Sequence, residues 1–150
     1  MTDDGEQTTE DGQRTKGGRR ETRIRTAVIG VGKMGAIHAK VLKSLPQSDL
    51  VAVVDTDIAK ARKLAGKYRC SAFINSADVL GKVEAVTIAA PTAVHYELAK
   101  LFIENNVAVM IEKPLATDVR SAREIVLLAK NRGVVAPSVI LSAVIPLLRR

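Results

Sequence analysis

The chain has 150 residues, 47% of them hydrophobic, which is enough for one domain with its own core. Its formal charge is +7, yet aromatics make up only 3% of it and no nucleic-acid module accompanies the basic residues, so nucleic-acid binding is set aside. One cysteine excludes an intrachain disulfide and a multi-cysteine zinc site, and the two histidines, His38 and His95, stand far apart without a cluster of carboxylates, so no metal site is read.

Residues 1–23 carry five basic and six acidic groups and no large apolar residue after Met1. Such a stretch buries too little surface to offset its ordering entropy, and a disordered polar tail is expected. Arg19 and Arg20 do not make an export signal, because Arg23, Arg25, Lys33 and His38 interrupt the apolar stretch after them. A reducing cytoplasm is the expected compartment for this single-cysteine chain.

A folded domain is expected over residues 24–135. The apolar run 24–29 predicts a buried strand, and Gly30-Val31-Gly32-Lys33-Met34-Gly35 comes directly after it. Gly30 allows a tight reversal, Gly32 lets a diphosphate approach the backbone, and Gly35 lets the next helix pack closely. That helix, predicted over residues 34–43, would turn its first N–H groups and positive dipole end toward the ligand, with Lys33 and Met34 beside it. His38 on this helix is read as a packing or surface residue.

A second strand is predicted over residues 50–54 and ends at Asp55, 25 residues after Gly30. A carboxylate there can accept hydrogen bonds from the adenosine ribose hydroxyls. A 2′-phosphate would set like charge beside it, at roughly 4 Å a repulsion of about 1 kcal/mol in water and about 4 kcal/mol at an effective dielectric of 20. NAD is therefore expected over NADP, with Lys60 and Arg62 near enough to soften the preference. A helix beginning near Asp57 carries Ile58, Ala61, Leu64 and Ala65 as its apolar stripe and Lys60, Arg62, Lys63, Lys67 and Arg69 as a solvated basic face.

The pattern then repeats, strand before helix. Residues 72–74 predict a short strand, 77–80 a short helix begun at Ser76, and 85–89 a fully buried strand. Residues 92–105 read as a helix with Val94, Leu98, Leu101 and Phe102 at core spacing, and 107–111 as another buried strand. Thr117 or Asp118 caps a last helix with Val119, Ala122, Ile125, Val126 and Ala129 on one face, stopped by Gly133. The alternation implies an α/β, Rossmann-type doubly wound parallel sheet covered on both faces, with the ligand crevice beyond the carboxyl ends of its strands.

Two further motifs fall at strand ends, Ala90-Pro91-Thr92-Ala93-Val94-His95 and Glu112-Lys113-Pro114. With the glycine loop they make residues 24–135 resemble the N-terminal domain of the glucose-fructose oxidoreductase, inositol dehydrogenase and rhizopine-catabolism (Gfo/Idh/MocA) family. The resemblance implies that Gly30, Gly32, Gly35 and Asp55 hold NAD. It also implies that Ala90, Pro91, Thr92 and His95 line the dinucleotide and nicotinamide side of the crevice. Glu112 and Lys113 would sit beside the nicotinamide, Lys113 as the catalytic cation on the reacting hydroxyl, or its neighbour, of a sugar, cyclitol or nucleotide-sugar, with Pro114 aiming it. Plainer readings stay open, Lys113 as an exposed strand-end lysine and His95 as a helix-start residue. A non-catalytic NAD-binding regulatory or partner subunit is the alternative, and homo-oligomerisation is left open. The Pro91 and Glu112 to Pro114 elements disfavour a methyltransferase using S-adenosylmethionine.

Members of that family continue with a VGHxERFNP-like strand and a second domain that supplies the substrate pocket and an acid–base Asp and His. Here residues 136–150 read APSVILSAVIPLLRR, an apolar stretch shorter than the roughly 20 residues of a membrane span. Codons for residues 138–143 can encode VGHLER in a neighbouring frame, so a frameshift product, truncated before the second domain, is the expectation. NAD binding with negligible turnover is expected in consequence, as is poor solubility or association from an uncovered sheet edge and the apolar tail.

Overall fold

β1 (Ile24–Ile29) is the central strand of a five-stranded, all-parallel sheet of order β3-β2-β1-β4-β5 in the computed structural model, which describes residues 22–134. The other strands are β2 (Ser48–Val54), β3 (Ser71–Phe73), β4 (Ala85–Ile88) and β5 (Ala108–Ile111), each parallel to its neighbours. Parallel strands require crossovers, and α1 (Lys33–Ser44), α2 (Ile58–Tyr68) and α3 (His95–Glu104) supply three of them, with α4 (Val119–Arg132) after β5. The polar tail before residue 22 and the apolar tail over residues 136–150 lie outside the described residues.

Side chains alternate across the sheet, which sorts the core into two layers. Ala27, Ile29, Val54, Val86, Ile88, Val109 and Ile111 pack with Ala99, Phe102 and Ile103 of α3 and Ile125 and Ala129 of α4. Val28, Leu50 and Val53 pack on the other side against Ala39 of α1 and Ala61 and Ala65 of α2. Helices on both faces make the sheet doubly wound, as the strand and helix alternation requires. The covering is nevertheless incomplete: among the described residues, Leu42 of α1 and Ala85, Thr87, Ala108 and Met110 of β4 and β5 line an apolar groove of about 190 Å³.

The element ends show what local pattern does not carry. β2 starts two residues earlier than its apolar run, because Ser48 and Asp49 pair with β1 and the Ser48 and Thr26 hydroxyls meet at 2.9 Å in the core. The α3 segment opens with a 3-10 turn at Thr92–Val94, whose tighter winding shifts the buried stripe to His95, Ala99, Phe102 and Ile103. Val94, expected in the core, is 43% exposed, and Leu98 and Leu101 are half-buried. On α4 the buried positions narrow to Ile125 and Ala129, while Val119 in the first turn is exposed. Asp118, not Thr117, caps that helix by accepting from the Ser121 amide at 2.8 Å, and Gly133 closes it at φ 63°. Asp57 caps α2 in the same way, and all five basic residues of its outer face are exposed.

Candidate functional site

The chain crosses from the β2 side of β1 to its β4 side after β3, so the loops after β1 and β4 diverge to opposite faces and leave a crevice between them. A cavity of about 730 Å³ opens there. Ladder bonds run one residue past the strands and pin its rim: the Gly30 amide donates to the Val54 carbonyl at 2.8 Å, Ala89 to Ile29 at 2.8 Å, and Asp55 to Phe73 at 3.1 Å.

Three glycines shape the loop after β1, each differently. Gly30 turns at φ 88°, and a Cβ on it would lie 2.8 Å from backbone atoms of Ala89 and Ala90. A Cβ on Gly35 would stand 1.8 Å from the Gly30 carbonyl oxygen, so this position is where helix and turn touch. Gly32 meets nothing within 4 Å. It is the N-cap of α1, no side chain caps that helix, and Gly32, Lys33 and Met34 line the cavity. Uncapped N-terminal amides at an open glycine form a seat for an anionic group.

Opposite this seat stands Asp55, whose carboxylate has a structural role that the sequence pattern did not reveal. Its Oδ2 accepts from the Val31 amide at 2.9 Å and its Oδ1 from the Asp57 amide at 2.8 Å, so it braces the glycine loop and the approach to α2 together. Two hydrogen bonds leave further acceptor capacity on a carboxylate, and Asp55 also lines the cavity. Thr56, Lys60, Ile74 and Ser76 complete that side, with Ala90, Pro91, Val94 and Leu98 across from them. Met34, Ile74 and Val94 are each more than two-fifths exposed, a loose apolar rim around polar backbone. Ile74 and Val94 carried a readable signal, apolar residues at strand ends, but their spacing fitted a core equally well.

Of the residues singled out in the sequence, Gly30, Gly32, Lys33, Met34, Asp55, Ala90 and Pro91 line the cavity. Gly35 lies beneath the turn, and Thr92 is half-buried in the 3-10 turn. His95 does not line the cavity: it is 1% exposed, its Nδ1 2.9 Å from the Pro114 carbonyl oxygen and its Nε2 2.7 Å from that of Ala90. Glu112 is fixed at the end of β5 by its amide, which donates to Ile88 at 2.9 Å, while Lys113 and Pro114 beyond it are exposed. His38, read as a packing or surface residue without a carboxylate near it, instead pairs its Nε2 with the Glu112 carboxylate across 74 residues of sequence. No spacing rule could have found that contact.

No helix among the described residues is long and apolar enough to cross a membrane. Residues 24–139 match the profile of a family described as "Oxidoreductase family, NAD-binding Rossmann fold", GFO_IDH_MocA. UDP-N-acetylglucosamine 3-dehydrogenase of Acidithiobacillus ferrooxidans is 35% identical over 112 residues, which are 75% of this chain and 35% of that protein. Inositol 2-dehydrogenase of Rhizobium meliloti is 33% identical over 101 residues, 67% of this chain and 31% of the relative. The crystal structure of GenD2 from gentamicin A biosynthesis, in complex with NAD, superposes with a TM-score of 0.75 at 35% identity, over 77% of this chain and 34% of that one. The chain thus spans about a third of the length of the proteins it matches.

Proposed function

The chain belongs to the Gfo/Idh/MocA oxidoreductase family, and from that premise we propose that its cavity binds NAD for hydride exchange with a secondary alcohol of a sugar, cyclitol or nucleotide-sugar. The observation that carries the reading is Gly32: a position with open space around it, at an uncapped helix N-terminus, in the wall of a crevice large enough for a dinucleotide. The residues present fit the cofactor. Gly32, Lys33 and Met34 would receive the diphosphate on their amides, Asp55 the adenosine ribose hydroxyls, and Ala90, Pro91 and Thr92 the nicotinamide half.

Bound there, the cofactor supplies the hydride acceptor or donor. Lys113 is assigned the substrate's reacting oxygen, where its ammonium stabilises negative charge as that oxygen gains it. Among the described residues the nearest carboxylate to Lys113 in sequence, Glu112, is paired with His38, and no substrate-facing carboxylate stands beside it in the cavity wall. We therefore place the general base in a part of the full enzyme that lies beyond this domain.

NAD is assigned over NADP because Asp55 presents a carboxylate where a 2′-phosphate would lie. The lone Cys70 fits a reducing cytoplasm, small-molecule alcohols are the proposed partners, and neither nucleic acid nor membrane is assigned. Titration of the purified chain with NADH and NADPH, monitored by nicotinamide fluorescence and by calorimetry, tests the cofactor. Saturable NADH binding with weaker NADPH binding, and negligible oxidation of inositol or UDP-sugars, is the expected result. NADPH binding as tightly as NADH overturns the Asp55 assignment, absence of any heat overturns the site, and steady turnover by this chain overturns the placement of the base.

A further inference from the structure

Two imidazoles reach the turn after β5 from helices on opposite faces of the sheet. His38, half-buried on α1, holds the Glu112 carboxylate. His95, at the start of α3, joins the Pro114 carbonyl to that of Ala90. α1 begins at the glycine loop, and Ala90 and Pro91 form the opposite wall of the cavity, so each imidazole ties Glu112-Lys113-Pro114 to a different wall.

The turn needs such ties. β5 is the edge of the sheet among the described residues, and its last ladder bond is the one from the Glu112 amide to Ile88. Past that point, among the described residues, only His95 reaches residues 113–116 with a hydrogen bond from outside the turn. An imidazole in an apolar stripe beside Ala99 and Phe102 is disfavoured unless it is hydrogen-bonded, and here its nitrogens face backbone carbonyl oxygens of the two loops, to which the ring N–H donates. Lys113 itself has a long flexible stem and is exposed, so where its ammonium dwells depends on how firmly its backbone is anchored.

We propose that His38 and His95 are a pair of positioning residues that set Lys113 relative to both walls of the cavity. The proposal deepens the reading of Lys113 as the cation on the reacting oxygen, and rests on it. Neither histidine is assigned a proton in the reaction, and Glu112 is assigned to His38 and not to the nicotinamide. The functional weight of the brace comes from the steepness of chemistry with position, since a misplacement of about 1 Å can cost roughly a hundredfold in rate.

The test uses the purified 150-residue chain with its lysines reductively methylated with carbon-13, the Lys113 resonance being identified by its loss in Lys113→Arg. Without cofactor, His38→Ala and His95→Leu are each expected to move the Lys113 resonance by more than its line width and to leave Lys60, Lys63 and Lys67 of α2 in place. His38→Gln and His95→Gln, which keep N–H donors, are expected to return it toward the wild-type position. A Lys113 resonance that stays in place in folded His38→Ala overturns the brace, and this variant decides even where His95→Leu fails to fold. NADH titration of the same samples is read separately: about fivefold weaker binding in the two disrupting variants supports the brace. Wild-type chain that binds no NADH overturns the proposed function, while the brace then stands or falls on the cofactor-free resonance.

Discussion

The loop after β1 and the turn after β5 belong to one sheet and face one crevice, yet they are held by different means. The first is shaped by what its residues lack: Gly30 has no Cβ to strike Ala89, and Gly35 none to strike Gly30. Asp55, one residue beyond the neighbouring strand, adds a single brace on Val31. The second is shaped by side chains arriving from elsewhere, His38 on Glu112 and His95 on Pro114. A loop built on omitted side chains tolerates no addition where they are omitted at Gly30 and Gly35, whereas a turn built on imported ones loses its place when they are cut back.

The sharpest way to break that contrast is Gly35→Ala. A Cβ 1.8 Å from the Gly30 carbonyl oxygen forces backbone apart, so a loss of about 3 kcal/mol and a thermal midpoint lower by roughly 15 °C are expected by calorimetry. Little change there would mean that α1 and the turn are not in contact. Gly30→Ala combines a φ of 88° with the 2.8 Å approach to Ala89 and Ala90, and about 2 kcal/mol should be lost in urea denaturation. Asp55→Ala strips acceptors from two amides at once. About 1.5 kcal/mol of stability should go with them, together with at least tenfold in NADH affinity and the discrimination against NADPH.

Gly32→Ala separates fold from ligand most cleanly. Its added methyl enters open space at an ordinary φ of −65°, so stability should hold within about 0.5 kcal/mol while NADH affinity falls at least tenfold. A destabilisation as large as that of Gly35→Ala would show that the space around Gly32 is structural.

The smallest effect lies at the start of α4, away from both loops. The Ser121 amide and hydroxyl hold the Asp118 carboxyl below its ordinary range. A carboxyl lowered in the fold stabilises it above the unfolded value near 4, and the contribution fades as pH falls through that value toward the folded one. Hydrogen exchange in the first turn of α4 should therefore quicken on acidification in this window, and Asp118→Asn, which keeps an N-cap acceptor, should remove that dependence.

The same contrast marks how far the chain could be read as letters. The Asp57 and Asp118 caps and the Gly133 stop rest on interactions within a few residues, and the apolar run of β1 and the glycine spacing after it are themselves local patterns, so each stands where the sequence puts it. Val94, read at core spacing, stands at the cavity rim, because a 3-10 turn of three residues rotated the helix that opens at His95, the helix-start position left open for that residue. Periodicity alone cannot supply that rotation. Asp55 was legible as an acid at the right place, but its grip on the Val31 amide needed the two strands side by side.

What residues 22–134 settle by their order alone is the sequence of parallel strands and helices and the side-chain-free bend between the first of each, since backbone conformation and hydrophobic alternation act over one or two turns of chain. Tertiary structure decided how the turn bearing Lys113 is anchored. Its partners come from 74 residues upstream on one face and 19 on the other, and only the packing of α1 and α3 against opposite sides of the sheet brings two imidazoles within reach of one strand end.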